Sequence, residues 1–202
     1  KQYMYSLHQN KLSPKSIARK IASCRSFWNF LIHESVVEHN PWNAISSPKT
    51  QQKLPTILSI DDMKKLLNSF DQTSLIDIRN KTICELIYAA GLRISELIAL
   101  TFGDINLSSC ECKLKGKGNK ERICIFGQST KTQIQQYIDT YYTTYAPKNR
   151  STSINNTPIF INKQGIALTP RTIQRMIKDK APQLTHPNST PHRLRHTFAT
   201  HL

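Results

Sequence analysis

The sequence predicts a mainly α fold with a small antiparallel β-sheet, an α+β chain, and three observations carry that expectation. Apolar residues recur at three- and four-residue steps through most of the 202 residues. Ser13-Pro14, Thr169-Pro170 and Thr190-Pro191 each set a capping side chain before a proline, the arrangement that starts a helix. Only residues 110–126 change to a two-residue alternation, around a basic, glycine-bearing turn that reads as a hairpin.

Taken in order, residues 3–8 are a short candidate helix. Ser13-Pro14 opens the next, whose stripe runs through Ile17, Ile21, Cys24, Trp28, Leu31 and Ile32. Lys15, Arg19 and Arg25 fall off that stripe, on a flank that is either a solvated face or a DNA-contacting one. Residues 40–55 hold three prolines and no period, and read as an interdomain linker. Ser59 with Asp62 resembles a capping box and opens a helix through about Phe70. A helix over 75–90, with Leu75, Ile78, Ile83, Leu86, Ile87 and Ala90 inward, stops at Gly91.

Residues 91–100, GLRISELIAL, place Arg93 just past that glycine and Glu96 three residues later. A short helix here would direct Arg93 from its N-terminal end, where backbone N–H groups also favour a phosphate. Taken alone, the two residues also read as a surface ion pair, which is common and worth little. In the hairpin, Cys110, Cys112 and Leu114 alternate with polar residues, and Ile123 and Ile125 do so after the break. The tip carries Lys115, Lys117 and Lys120, a phosphate clamp or a solubilising turn. The spacing of a P-loop is absent, so ATP binding is not expected.

Residues 128–145 read as an amphipathic surface helix with Ile134, Tyr137, Ile138 and Tyr141 on one side, the tyrosines as packing residues. A loop over 147–157 and a short strand over 158–161 follow. Thr169-Pro170 then caps a helix that sets Arg171, Arg175 and Lys178 on one face, the strongest candidate for DNA-backbone contact. The last stretch, TPHRLRHTFATHL, puts His192 and Arg195 one helical turn apart, a plausible phosphate-handling pair.

Composition narrows the partners. Lys and Arg total 28 against 13 Asp and Glu, a net charge of +15, which points to a polyanion and above all to nucleic acid. No apolar run reaches the roughly 18 residues of a membrane span, and the N-terminus has no signal-peptide layout. Five cysteines on scattered spacings fit neither a redox pair nor a zinc site and suggest reduced thiols in a cytoplasmic protein.

Three of these pieces together resemble the tyrosine site-specific recombinases of the phage integrase family, and most closely its Xer branch. GLRISELIAL resembles the first-arginine box, GKGNKER the catalytic-lysine hairpin, and PHRLRHTFATHL the His-x-x-Arg box. The resemblance implies a recombinase catalytic core over 56–202, a linker over 41–55, and over 1–40 the end of a helical DNA-clamping domain. It implies that Arg93, Lys117, His192 and Arg195 are catalytic, with Glu96 in support. Arg19, Arg25, Lys120, Arg171 and Arg175 are the expected DNA contacts.

The activity it implies is strand cleavage and rejoining through a 3′-phosphotyrosyl intermediate, without ATP, metal or other cofactor. Double-stranded DNA in a tetrameric synapse is the implied partner, with a second recombinase and an activating DNA translocase as further candidates. The implied duty is resolution of chromosome or plasmid dimers at cell division, in the cytoplasm. A phage or mobile-element integrase is the alternative in the same class; a catalytically inactive DNA-binding accessory protein is the alternative outside it. In the family a second histidine or tryptophan and the nucleophilic tyrosine follow the His-x-x-Arg box. None of the seven tyrosines here lies in a matching motif. The chain, which begins at Lys1, is therefore expected to be truncated at both ends and to bind DNA without cleaving it.

Overall fold

Serine, threonine and glycine punctuation sets most of the element boundaries in the computed structural model, which describes residues 2–49, 57–116, 121–147, 153–185 and 190–201. The chain divides into two units, Lys1–Leu54 and Pro55–Leu202. The first contains α1 (Gln2–Gln9) and α2 (Pro14–His33). Ser13 caps α2 by accepting a hydrogen bond from the Ser16 N–H, and Pro14 fills the first turn, where no N–H is needed. Only the first half of the predicted stripe is buried: Ile17 and Ile21 pack with Leu7, Leu12, Trp42 and Ile45. Phe27 and Phe30 are exposed.

Part of the stretch read as linker belongs to this small core. Asn40 donates from Nδ2 to the Arg25 carbonyl at 3.0 Å and to Asn29 Oδ1 at 2.7 Å. The Arg25 guanidinium reaches the carbonyls of Trp42 (3.0 Å) and Ile45. Proline breaks the helical period here, and side-chain-to-backbone bonds do the fastening instead.

The second unit contains α3 (Ile60–Asn68), α4 (Leu75–Ala90), α5 (Ile94–Ala99), β1 (Ile105–Asn106), β2 (Glu111–Lys115) and β3 (Glu121–Ile125). They are followed by α6 (Gln128–Tyr137), a π-helical turn (Ile138–Tyr142), α7 (Thr143–Tyr145), α8 (Pro170–Lys180) and α9 (Pro191–His201). The α4 helix is buried almost all round and packs against α3, α5, α6, α8, α9 and β3. The α+β expectation holds: helices surround α4, and one three-stranded antiparallel sheet in the order β1-β2-β3 closes a side.

Two local readings change and one is extended. Ser59 caps α3 from Asp62 N–H at 3.0 Å, and the Asp62 carboxylate interacts in return with Ser59. It also accepts from the N–H (3.1 Å) and hydroxyl (2.8 Å) of Thr185, tying the start of α3 to the segment after α8. Residues 158–161 form no strand, only single bridges at Thr101–Pro158 and Ile161–Ala167. Proline lacks the N–H a ladder needs. The helix over 128–145 is interrupted by the π turn, and Tyr137, Tyr141 and Tyr142 are all buried.

At the end of α4, Gly91 adopts φ 58°, the left-handed conformation of a helix stop. A Cβ there would lie 2.3 Å from Cδ1 of Phe198 on α9. Gly91→Ala is therefore expected to cost about 2–4 kcal/mol, from backbone strain and overpacking together. Denaturant unfolding measures this, and adding Phe198→Leu should recover the overpacking share. Equal losses in the single and double variants would show that the contact with Phe198 is not what excludes a side chain.

Candidate active site

A buried carboxylate gathers the site. Arg93 ends the turn after Gly91 in extended conformation and stands at the N-cap of α5, which puts Glu96 in the first turn, facing back. Glu96 Oε2 accepts the Arg93 N–H at 2.7 Å, and Oε1 accepts Arg93 Nη1 at 2.7 Å. Two further guanidiniums arrive from distant segments. Arg122 Nη2, on β3, donates to Oε2 at 2.8 Å, and Arg195 Nη1, on α9, stands 3.4 Å from the same oxygen. Arg195 Nη1 also donates to the Gly91 carbonyl at 2.7 Å. The Glu96 side chain is only 4% exposed, so this is no surface ion pair.

The scaffold explains the convergence. Burial of Leu92, Ile94 and Leu97 fixes α5 against the core, and Leu194 and Thr197 do the same for α9. Thr197 Oγ1 accepts the Leu58 N–H at 3.1 Å and donates to the Arg193 carbonyl, pinning α9 along its length. Thr190 caps that helix by accepting from Arg193 N–H at 3.4 Å. His192 and Arg195 are thereby carried on one helix, His192 exposed. His196 is exposed, and His201 hydrogen-bonds the Tyr88 hydroxyl at 2.9 Å, a packing role.

Sheet register supplies the third arginine. The pairs Cys112–Cys124 and Leu114–Arg122 place Arg122 and Cys124 on the same face as the buried Cys112 and Leu114. Ile123 and Ile125 are 67% and 71% exposed. Alternation in the sequence located the strands but not the face of β3, and a shift of one residue reverses every side chain. Arg122, a residue sequence reasoning passed over, is the inward one. The available signal was its position in GKGNKER, one residue out of phase with the isoleucines.

Lys117 and Lys120 lie outside the described residues. Lys115 and Gly116, at the near end of the hairpin, line a cavity of about 660 Å³ with Arg93, Ser95, Glu96, Glu121 and Arg122. Arg171 and Arg175 are exposed on α8, opposite its buried Ile173, Met176 and Ile177. They do not join the Glu96 cluster. Arg19 is exposed on α2, whereas Arg25 is engaged by the carbonyls of Trp42 and Ile45.

Burial alone would raise the Glu96 pKa, but the Arg93 N–H and guanidinium, with Arg122, outweigh it and hold the carboxyl below its usual range. Burial and the Arg93 charge press Arg195 downward, with Glu96 opposing; a guanidinium stays protonated all the same. Burial, then the neighbouring Cys124, pushes Cys112 up to about 12, and burial raises Cys124, so neither thiol is activated. Tyr137 and Tyr141 are likewise pushed up by burial, which suits packing and not attack. Among the described residues no group of three or more His, Cys, Asp or Glu could hold a metal ion, and no helix is long and apolar enough to cross a membrane.

Because the folded pKa of Glu96 lies below its ordinary 4.5, its ionisation stabilises the fold above about pH 4.5. That contribution is lost as pH falls through the lower, folded value. Glu96→Gln is expected to cost about 3 kcal/mol at pH 7, since three guanidiniums lose their counter-charge. Urea unfolding between pH 7 and pH 3 should show the gap to wild type shrinking as pH falls. A gap independent of pH would remove Glu96 from this accounting.

Comparison with known proteins meets this geometry at the same residues. The family model described as the phage integrase family matches residues 56–202, which include Arg93, Glu96, Arg122, His192 and Arg195. The tyrosine recombinase XerD of Listeria innocua is 39% identical over 192 residues, covering 94% of this chain and 63% of that protein. XerC of Anoxybacillus flavithermus is 38% identical over 201 residues, covering 99% of this chain and 66% of that protein. The chain thus spans just under two thirds of the length of these relatives. Among solved structures, the Tn1549 transposon integrase in complex with circular intermediate DNA superposes with a TM-score of 0.74 at 18% identity, over all of this chain and 70% of that one. XerA recombinase does so with 0.60 at 24%, over 99% and 66%. These two likenesses establish the fold, and the sequence match establishes the kinship: the chain belongs to the phage integrase family, with Xer tyrosine recombinases among its similar relatives.

Proposed function

We propose that this chain is the greater part of a Xer-like tyrosine recombinase that cleaves and rejoins duplex DNA. The observation that carries the reading is the meeting of Arg93 and Arg195, from separate elements, on one buried carboxylate. Two guanidiniums held this way can donate to both non-bridging oxygens of a phosphodiester as it gains charge in the pentacoordinate transition state. Glu96 keeps them apart from one another and aimed, and His192, one turn from Arg195, would hydrogen-bond the phosphate or move a proton.

In the reaction a tyrosine hydroxyl attacks phosphorus, the bond to the 5′-oxygen breaks, and a 3′-phosphotyrosyl link forms. Lys117 would deliver the proton that the leaving 5′-oxygen requires. The freed hydroxyl then attacks the phosphotyrosyl link of a partner strand, so the bond energy is kept and no ATP is consumed. The family's attacking tyrosine and second histidine belong to the segment after the His-x-x-Arg box. Residues 1–40 would be the end of a DNA-clamping domain that also takes in Trp42 and Ile45, the remainder of 41–55 a linker and 56–202 the catalytic core. Arg19, Arg171 and Arg175, exposed on α2 and α8, would meet the DNA backbone, and Lys120 would do so from the hairpin. Arg25 would act indirectly, by tying the chain after α2.

The protein would work in the cytoplasm as a tetrameric synapse on double-stranded DNA, with a second recombinase and an activating translocase as candidate partners. Its duty would be resolving chromosome or plasmid dimers. An integrase of a mobile element uses the same chemistry; identities of 38–39% to XerC and XerD support the Xer reading.

Trapping on a nicked duplex with the full-length protein tests this. Arg93→Ala and Arg195→Ala are expected to lower covalent linkage at least about 100-fold while duplex binding persists. Binding lost in step with linkage would sink the catalytic assignment. Lys117→Ala should recover on a substrate whose leaving oxygen is replaced by sulfur, which needs no proton. An unrescued variant would make Lys117 a phosphate clamp only.

A further inference from the structure

We propose that Arg122 is a positioning residue: by occupying Glu96 Oε2 it keeps Arg195 from closing onto that carboxylate and leaves it available to the DNA phosphate. The inference rests on the recombinase reading for its consequence, and on geometry for its content. Three donors approach one oxygen, Arg93 N at 2.7 Å, Arg122 Nη2 at 2.8 Å and Arg195 Nη1 at 3.4 Å. A carboxylate oxygen offers about two lone-pair sites. The first two donors fill them, and the third is left at a distance beyond a charge-assisted bond, which runs about 2.7–2.9 Å.

The placement of Arg122 is not what its own hydrogen bonding would choose. Its Nη1 points at Cys124 Sγ, 3.0 Å away, and its Nε is buried without a partner. A buried unpaired donor costs about 1–3 kcal/mol. Arginine meets an isolated carboxylate best with both arms of its fork, yet here only one arm reaches Glu96. The other oxygen accepts Arg93 Nη1 at 2.7 Å. Arg122 is therefore a third guanidinium wedged into a pair, held there by the register that pairs it with Leu114.

Charge gives the arrangement its use. Three guanidiniums on one carboxylate leave an excess of two positive charges at the cavity. Without Arg122, Oε2 would have a vacant site, and among the described residues Arg195 Nη1, 3.4 Å away, is placed to fill it. Closing by about half an ångström or more would tighten the long Arg195–Glu96 pair into a charge-assisted bond and hold the phosphate donor on the carboxylate.

Two variants separate positioning from support: Arg122→Met keeps the stem and removes the donor, and Arg122→Lys keeps a single charged donor. Among the described residues the groups facing Glu96 are Arg93 at the start of α5, Arg195 on α9, and the Cys112 and Cys124 thiols with Arg122 on the hairpin, while Lys115 and Glu121 line the same cavity. In the 202-residue chain, the Glu96 carboxyl carbon should titrate at higher pH in the Met variant, and the Arg195 side-chain signals should move; the Lys variant should stay near wild type. In the full-length protein, covalent linkage should fall about tenfold or more in the Met variant, with duplex affinity unchanged. The acid limb of its pH–rate profile should shift to higher pH, and Lys should restore most of the rate.

An unshifted Glu96 titration with unmoved Arg195 signals overturns the proposal, as does a full linkage rate in the Met variant. Equal loss of thermal stability and linkage in both variants overturns it too, in favour of a purely structural role. Should wild-type full-length protein fail to link DNA at all, the recombinase reading fails, while the titration still decides whether Arg122 controls Glu96 and Arg195.

Discussion

Everything at the site depends on one carboxylate being buried among three guanidiniums. Glu96 lies on a six-residue helix, and its partners come from that helix's cap, from a β-strand and from α9. Removing such a charge from water is costly unless its lone pairs are filled. Here they are met by the Arg93 backbone N–H and by the guanidiniums of Arg93, Arg122 and, at longer range, Arg195. The arginines in turn would repel one another at these distances without the anion. Neither half of the arrangement suits burial alone, and the packing of α5, β3 and α9 brings the two halves together.

The scaffold holds that meeting point rigid by packing that has no chemistry of its own. Gly91 lets the chain turn off α4 directly against the ring of Phe198, so the carbonyl that Arg195 uses is set by a contact between α4 and α9. On the far side of α4, the buried Arg79 has no carboxylate. Asn80 Oδ1, the Tyr141 hydroxyl and the Ile161 carbonyl take its donors, and the Tyr141 ring lies 5.1 Å from its guanidinium carbon. Tyr137 donates to the Ile159 carbonyl at 2.7 Å. Tyr137 and Arg79 thus supply side-chain hydrogen bonds to residues 158–161, which lack a strand's ladder. The π turn lets Tyr141 and Tyr142 both face inward.

What could be read in advance follows from the range of the interaction that decides it. The caps at Ser13, Ser59, Thr169 and Thr190 and the stop at Gly91 act within four residues, so the sequence displays them. Arg93, Glu96 and Arg195 were identifiable from their local boxes. The facing of β3 depends on its register with β2, a relation between two segments, and alternation alone carries no phase between strands. Asp62 reaching Thr185, and Arg25 reaching Trp42 and Ile45, are likewise decided by tertiary proximity. A short-range motif and a long-range bond can share one side chain, as Asp62 is shared between Ser59 and Thr185.

The same reasoning explains how an acidic group can serve a site built for phosphate. A bare cluster of arginines would carry more positive charge but no fixed geometry, since nothing would set the guanidinium planes. A carboxylate matched to each arginine would fix geometry and cancel the charge. One buried Glu96 shared among Arg93, Arg122 and Arg195 orders all three while neutralising only one. The surplus stays localised beside a cavity that Lys115 and Gly116 also line, where it can attract an approaching anion. The net charge of +15 could attract DNA to almost any face of such a chain. It is the sharing of one anion that turns diffuse attraction into directed donors.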